Sequence, residues 1–214
     1  MTCWISIPIK DLAACKTRLR AVLDDGARES LVSTMLHHVT DIVRSASDDC
    51  RLLLLAPHSH KAPPAFEHID DDRQGLNEEL MNLLNRAVMS GAARLIIVPA
   101  DLPLIAEADV QALMDVPSDH MAIAPDRAML GTNALSLPLP AARDFRFQFG
   151  PGSFECHRIE ASRLALPLTM LRSEGLAFDV DEPADLADLW EQQPHFYPAR
   201  DSGRQRAMGG GGAR

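Results

Sequence analysis

Lysine is scarce in this chain of 214 residues: only Lys10, Lys16 and Lys61 are lysine among 21 lysine and arginine residues. Two of the three flank one short segment, which begins at residue 10 and continues to residue 20. Lysine is a compact point charge with three donors, which suits a phosphate chain that shifts during a reaction, whereas arginine suits fixed bidentate contacts. We therefore interpret residues 10–20 as a candidate phosphate-binding loop; the alternative is a solvated turn.

Signatures of several other protein classes are absent. The four cysteines show no CxxC or Cys/His metal spacing and no secretory leader precedes Trp4, so we expect reduced thiols in a cytoplasmic protein. No apolar run approaches the ~20 residues that a membrane helix needs, so we expect a soluble protein with no membrane partner. The net charge of −9 argues against nonspecific binding to nucleic acid, although a phosphorylated small molecule is not excluded.

Short apolar runs alternate with helical periodicity along the chain, which is typical of an α/β sheet built from strand–helix crossovers. The length favours a single domain, and we place it at residues 1–197. The Gly- and Arg-rich residues 198–214 have nothing to bury, so we expect a disordered tail. Strands are predicted at residues 4–9, 52–56, 95–98, 121–124, 134–137 and 176–180, and helices at residues 31–43, 75–88, 108–116, 153–164 and 183–190.

Carboxylates follow two of the predicted strands. Asp101 comes just after the strand at 95–98, and Asp179 and Asp181 bracket Val180 at the end of the last one. Alternation in an extended segment directs both aspartates to one face while Val180 packs behind them. Carboxylate oxygens near strand ends suit magnesium, so we expect these three residues to hold Mg²⁺. For Asp181 the alternative is a cap of the closing helix.

Two glycine-bounded segments are candidate anion sites. Gly131-Thr132-Asn133 joins a loop to a strand, and Gly150-Pro151-Gly152-Ser153 enters a helix, where free N–H groups attract a phosphate or carboxylate. Both segments could equally be simple turns. Asn77, after Gly75-Leu76, could be only an N-cap. His157 lies one turn inside its helix, where a structural role competes with a role facing the anion.

Taken in order, these motifs resemble the 2-phospho-L-lactate guanylyltransferase family. The resemblance covers roughly residues 4–190, and it departs from the family's pattern at 128–130, where Ala-Met-Leu replaces the usual extra glycines. The matching segments are residues 7–10, 16–19, 75–77, 99–104, 131–135 and 149–154, His157, and residues 178–183.

The resemblance implies a nucleotide-diphospho-sugar transferase-like fold, a Rossmann-like sheet flanked by helices. It also implies transfer of GMP from GTP to 2-phospho-L-lactate, phosphoenolpyruvate or 3-phosphoglycerate, with release of pyrophosphate, in the biosynthesis of coenzyme F-420. Whether the chain forms a homodimer stays open. By motif match, the implied site contains Lys10, Lys16, Arg18 and Asn77 for GTP, with Lys16 and Asp101 catalytic; Thr132, Gly150 and Ser153 for the acid; and Asp101, Asp179 and Asp181 for magnesium.

Two other functions compete with this one. A nucleotidyltransferase of the same fold could act on a sugar phosphate or on molybdopterin, although the Gly-Thr-Asn and Gly-Pro-Gly-Ser motifs fit the phospho-acid family better. A noncatalytic nucleotide-binding regulator would not need the three metal-binding aspartates, yet all three are present, which favours an enzyme. The attacking group in the phospho-acid reaction is a phosphate oxygen, already anionic near neutral pH. The lack of a clear general base therefore does not argue against an enzyme.

Overall fold

Apolar runs in the first half of the chain form four parallel strands in the computed structural model, with a helix after the first strand and after the third. The structure describes residues 2–10, 12, 15–71 and 74–196. Strand β1 (Cys3–Pro8) leads through a 3₁₀ helix (Thr17–Ala21) to helix α1 (Asp25–Ala46). Strands β2 (Arg51–Ala56) and β3 (Phe66–Asp70) follow, then α2 (Leu76–Met89) and β4 (Arg94–Ile97).

The second half adds an antiparallel strand and shorter helices. Helix α3 (Glu107–Met114) precedes the hairpin of β5 (Met121–Pro125) and β6 (Thr132–Pro138). Helix α4 (Ser153–Arg163), β7 (Leu168–Met170), α5 (Glu174–Ala177) and α6 (Pro183–Gln192) follow, and a 3₁₀ turn (Pro194–Phe196) comes last.

These strands form one seven-stranded sheet in the order β3-β2-β1-β4-β6-β5-β7. Every pairing is parallel except those of β6, which runs antiparallel to both β4 and β5. The amino end of β6 therefore lies at the same edge as the carboxyl ends of the other strands. Loops that leave β1 and β4, and the loop that enters β6, meet at this edge.

Helices cover both faces of the sheet, and each face has its own apolar core. Ile5 and Ile7 of β1 belong to the core under α1, α3 and α6, whereas Trp4 belongs to the core under α2 and α4. This alternation follows from the two-residue period of a strand, and runs of apolar residues are typical of strands that are buried on both faces. The predicted α/β fold class and a sheet flanked by helices are confirmed.

The last predicted strand, residues 176–180, is wrong. Ser173 caps the short helix α5 through a hydrogen bond from the amide of Leu176 to Oγ at 3.1 Å, and the chain then runs extended without joining the sheet. Val180 is nevertheless fully buried, as the alternation argument expects. The edge strands β3 and β7 were not predicted, because both are short and carry exposed or half-buried positions. The domain boundary at 197 and the tail at 198–214 lie outside the described residues and stay predictions.

No helix in the described part of the chain is both long enough and apolar enough to cross a membrane.

Candidate active site

Four of the predicted site residues line one cavity at the carboxyl edge of the sheet. The cavity has a volume of about 260 Å³, and its wall includes Lys10, Lys16, Asp101 and Asp181 together with the ring of Phe149. Because β1 and β4 are parallel neighbours, the loops that follow them emerge side by side. Open α/β sheets bind ligands in this position.

The ammonium group of Lys16 sits between two carboxylates. Its Nζ lies 2.5 Å from Oδ2 of Asp101 and 2.6 Å from Oδ1 of Asp181, and only 8% of the side chain is exposed. Burial alone lowers the pKa of this lysine, but the two carboxylates outweigh it and raise the pKa above its ordinary value. Lys16 is therefore a permanent cation that joins the loop after β1, the loop after β4 and the segment before α6.

Backbone geometry and a buried arginine fix the position of Lys16. Lys16 has φ +50° and ψ +42°, the left-handed region, at the start of the 3₁₀ helix. Arg28 of α1, only 1% exposed, donates through Nη1 to the carbonyl of Cys15 at 2.5 Å and pairs through Nη2 with Asp25 at 2.7 Å. The sequence prediction missed Arg28. A sequence feature that could have identified it is the placement of a charged residue on the apolar face of α1, three residues before Leu31.

The three predicted metal carboxylates carry more negative charge than Lys16 balances. Burial, then the charges of Asp101 and Asp181, raises the pKa of Asp179 to about 6. Burial opposes ionisation of Asp181 as well, but Lys16 reverses that effect and lowers its pKa. Asp179 accepts a hydrogen bond from Nδ2 of Asn133 at 3.3 Å. Asn133 belongs to the predicted Gly-Thr-Asn motif but was not predicted as a site residue.

This donor set fits a hard divalent cation. Magnesium takes one or two protein carboxylates and fills its other positions with water and phosphate oxygens. Within the described residues, Asp101, Asp179 and Asp181 do not bring three oxygens within 4.8 Å of one another. One or two of these carboxylates could therefore bind Mg²⁺ directly. The alternative that Asp181 caps the closing helix does not hold, because Glu182 occupies the N-cap and the side chain of Asp181 binds Lys16.

Thr132 and Ser153 come together where β6 begins and α4 begins. The backbone N–H of Thr132 donates to Oγ of Ser153 at 2.9 Å, and both residues are largely buried. Gly150, at φ +137°, has no atom within 4 Å of the position that a Cβ would take. The three residues predicted to bind the acid thus lie on two adjoining segments with open space beside the backbone of Gly150.

His157 orients the hydroxyl of Thr132. The backbone N–H of Gln148 donates to Nε2 of His157 at 2.9 Å, so this nitrogen carries a lone pair and the proton lies on Nδ1. Nδ1 is 3.0 Å from Oγ1 of Thr132 and must donate to it, which leaves the threonine hydroxyl proton directed elsewhere. Burial lowers the pKa of His157 to about 4, so the ring stays neutral at physiological pH. His157 therefore has a structural role and does not itself face the anion. The hydroxyl of Thr132 is the group that can do so.

The side-chain amide of Asn77 bonds to the backbone of Phe149, a residue in the wall of the cavity. Its Nδ2 donates to the carbonyl of Phe149 at 3.1 Å, and its Oδ1 accepts from the amide of Phe149 at 2.8 Å. This two-bond clamp ties the first turn of α2 to the segment before α4. Asn77 thus has a positioning role in this structure, and its predicted contact with GTP stays a prediction, because the second N–H of Nδ2 and the second lone pair of Oδ1 are not used by these two bonds.

Arg18 and Lys10 stand at the rim. Arg18 is 67% exposed; its Nη1 lies 3.0 Å from Oε1 of Glu182 and 4.0 Å from Oδ2 of Asp181. Lys10 is exposed in the wall of the cavity. Exposed ion pairs are weak, so the guanidinium of Arg18 can exchange a carboxylate for a phosphate at little cost.

The chain matches the model of the family described as "Guanylyl transferase CofC like" over residues 3–192. The chain belongs to this family. It is 37% identical to the phosphoenolpyruvate guanylyltransferase of Sphaerobacter thermophilus, in an alignment that covers 95% of this chain and all of that protein. It is 32% identical to the 2-phospho-L-lactate guanylyltransferase of Haloarcula marismortui, covering 86% and 84% of the two chains.

Solved structures share the fold of this CofC-like chain. A protein designated a nucleotide-diphospho-sugar transferase, from Desulfovibrio desulfuricans G20, matches with a TM-score of 0.70 at 17% identity, over 97% of this chain and 92% of its own. A nucleotidyl transferase from Methanothermobacter matches with a TM-score of 0.63 at 12% identity, over 91% and 97%. The expected nucleotide-diphospho-sugar transferase-like fold is confirmed, and so is the resemblance to the guanylyltransferase family.

Proposed function

We propose that this CofC-like guanylyltransferase transfers GMP from GTP to a small phosphorylated acid and releases pyrophosphate, in the biosynthesis of coenzyme F-420. The relatives named above act, by their names, on phosphoenolpyruvate or 2-phospho-L-lactate. The higher identity is to the first, so phosphoenolpyruvate is the acid that we propose first. The observation that carries the proposal is the contact of Lys16 with both Asp101 and Asp181 in the wall of the cavity.

This arrangement has a charge distribution suited to phosphoryl chemistry. Two highly charged anions must approach each other, so the site needs cations that are already in place. Lys16 is held by two anchors and stays protonated, which supports a role against the phosphates of GTP. Lys10 and Arg18 lie at the same rim with exposed side chains and are proposed to bind the departing pyrophosphate.

Magnesium is proposed as the metal of the reaction. One or two of Asp101, Asp179 and Asp181 would hold it directly. Burial, and after it the charges of Asp101 and Asp181, raises the pKa of Asp179, and a bound cation would offset the repulsion among the three carboxylates. When bound, the ion supplies charge neutralisation between the two reacting anions.

The reaction needs no protein base. An anionic oxygen of the acid's phosphate forms a bond to the α-phosphorus of GTP, the bond from that phosphorus to the bridging oxygen of the β-phosphate breaks, and pyrophosphate leaves with both electrons. The chain's task is to align these groups and to exclude competing water. This requirement agrees with the neutral state of His157, whose two nitrogens are both occupied by protein partners.

The acid is proposed to bind at the start of β6 and α4. The free hydroxyl proton of Thr132 and the open backbone at Gly150 would meet its anionic oxygens, with Ser153 holding the backbone of Thr132 in place. Plain lactate should fail as a substrate, because an unmatched buried donor costs about 1–3 kcal/mol.

Pyrophosphate release tests the proposal directly. The protein is incubated with GTP, Mg²⁺ and, in separate reactions, phosphoenolpyruvate, 2-phospho-L-lactate or 3-phosphoglycerate, with lactate as the negative control. We expect release with at least one phospho-acid and none with lactate. Release with a sugar phosphate but with none of the three acids would show that the chain is a different nucleotidyltransferase of the same fold.

A further inference from the structure

A second group of metal-ligating side chains lies at the other end of the sheet, on its β3 edge. His58 follows β2 by two residues, and His68 and Asp70 belong to β3. Residues two apart on a strand share a face, so His68 and Asp70 point the same way. Two strands, β2 and β1, separate this edge from β4, which leads to Asp101. None of the three residues lines the cavity of the candidate active site.

The three side chains converge on one point. Nδ1 of His58 lies 2.7 Å from Oδ1 of Asp70, and Nε2 of His68 lies 3.0 Å from the same oxygen. The two imidazole rings are parallel within 3°, with centroids 6.1 Å apart. One ligand atom from each residue lies within 4.8 Å of the other two. A single ion can therefore reach all three ligand atoms with small movements of the side chains.

His68 supplies a second, independent observation. Its Nε2 is buried and makes no hydrogen bond within the described residues, although the carboxylate of Asp70 is close, because the contact is not aligned as a hydrogen bond. Buried polar nitrogens are nearly always satisfied, so an unsatisfied one at the centre of a ligand cluster indicates a missing partner. The lone pair of a neutral imidazole is the ordinary donor to a metal.

We infer that His58, His68 and Asp70 form a binding site for a divalent transition-metal ion such as Zn²⁺. Two imidazoles and one carboxylate suit zinc, nickel, cobalt or copper, whereas magnesium prefers oxygen ligands. Three protein ligands leave at least one coordination position, and the exposed ring of His58 places that position at the surface, where water can fill it. This ion is distinct in chemistry and in place from the magnesium proposed for the reaction.

Occupancy would tie a loop to the sheet edge. His58 belongs to the connection from β2 to β3, and Asp70 ends β3 six residues before Leu76, which lines the active-site cavity. Zinc would cross-link this connection to an edge strand that is paired on one side only. Binding to the folded chain alone raises its thermal stability by mass action.

Zinc titration of the purified protein tests the site. Calorimetry is done in excess Mg²⁺, to compete at the aspartates of the active site, on the wild type and on the variants His58→Ala, His68→Ala and Asp70→Asn. His60→Ala is the matched control, because His60 lies in the same loop outside the cluster. We expect one equivalent of Zn²⁺, with affinity reduced about tenfold or more by each ligand variant and unchanged by the control.

Two further readouts make the result decisive. Co²⁺ in place of Zn²⁺ should give visible absorption bands that are lost in His58→Ala. Because the side chain of His58 is exposed, this variant should keep its fold. The melting temperature of the wild type should rise with Zn²⁺, and that of the ligand variants should not. Wild-type zinc affinity in either histidine variant, or binding lost only in Asp179→Asn, would overturn the inference.

Discussion

Replacing His157 with glutamine should remove one specific acid-sensitivity of the fold. In the unfolded chain a histidine titrates near pH 6.5, whereas burial lowers the pKa of folded His157 to about 4. Between these values the unfolded chain binds a proton that the folded chain does not. The stability that neutral His157 contributes is therefore complete above about pH 6.5 and is lost progressively as the pH falls towards 4.

The size of this effect follows from the pKa difference. About 2.5 units at 1.36 kcal/mol each give a loss of about 3 kcal/mol over the full range, and about 2 kcal/mol between pH 7.5 and pH 5. Asp179 acts in the opposite direction, because its raised pKa lets the folded chain take up a proton before the unfolded chain does. The wild-type curve alone mixes both effects, so the quantity to measure is the difference between wild type and His157→Gln.

Urea unfolding at several pH values in the presence of EDTA gives that difference. The free energy of unfolding of the wild type, minus that of His157→Gln, should shrink by about 2 kcal/mol from pH 7.5 to pH 5. His37→Gln is the matched substitution at an exposed position of α1, and it controls for the general effect of replacing a histidine with glutamine. A flat curve for His157→Gln would mean that the ring accepts a proton in the folded state. The hydrogen bond from the amide of Gln148 and the orientation of Thr132 would then be wrong.

Three other substitutions test separate parts of the structure. Asp101→Asn should abolish pyrophosphate release, because it removes a proposed magnesium ligand and one of the two carboxylates that anchor Lys16. Wild-type turnover at limiting Mg²⁺ would show that the carboxylate is structural. Asn77→Ala should raise the KM for GTP and lower the free energy of unfolding by about 1–2 kcal/mol, because it breaks both hydrogen bonds to Phe149. An unchanged KM would show that these two bonds do not help to position the GTP site. Gly175→Ala should lower the free energy of unfolding by about 2 kcal/mol or more in a denaturant titration, since its Cβ would lie 2.7 Å from a backbone oxygen. Gly26→Ala in α1 is the control, because its Cβ would meet no atom nearer than 3.7 Å, and it should be neutral or stabilising.

The sequence predicted the buried part of the fold well because strong periodicity and burial coincide there. The continuous apolar runs at residues 52–56 and 95–98 are typical of strands that are buried on both faces. The apolar residues of α1 recur with the period of an amphipathic helix. The segment at 176–180 misled for the same reason. Leu176, Phe178 and Val180 alternate as a strand would, yet Ser173 starts a helical turn and all three side chains reach the core without sheet pairing.

The site was predicted in its residue types more than in its contacts. Lys16, Asp101 and Asp181 line one cavity because the loops that follow parallel strands share one edge, but the ion pairs of Lys16 with both aspartates were not predicted. The contacts of Asn77 and Arg28 could not be predicted, because each depends on a backbone segment that is remote in sequence or folded back by the tertiary structure. A single sequence does not distinguish an asparagine whose amide binds a ligand from one whose amide binds the backbone of a loop.

In the proposed function, the reversed strand β6 separates the segment that binds the acid from the segments that bind GTP. The nucleotide side rests on crossover loops after β1 and β4, which cannot change length without disturbing the helices that follow them. The proposed acid side begins at the tip of a hairpin, residues 126–131, which connects two adjacent strands without an intervening helix. The tip is held by hydrogen bonds from the amide of Arg127 to the carbonyl of Ala177 and from the amide of Phe154 to the carbonyl of Leu130, and a replacement has to keep both. A hairpin tip can be exchanged for that of a relative while β5 and β6 keep their register. Acceptor choice in this family can therefore diverge while the guanine nucleotide donor is retained, and grafting the tip from a 2-phospho-L-lactate enzyme should shift the preferred acid and leave the KM for GTP unchanged.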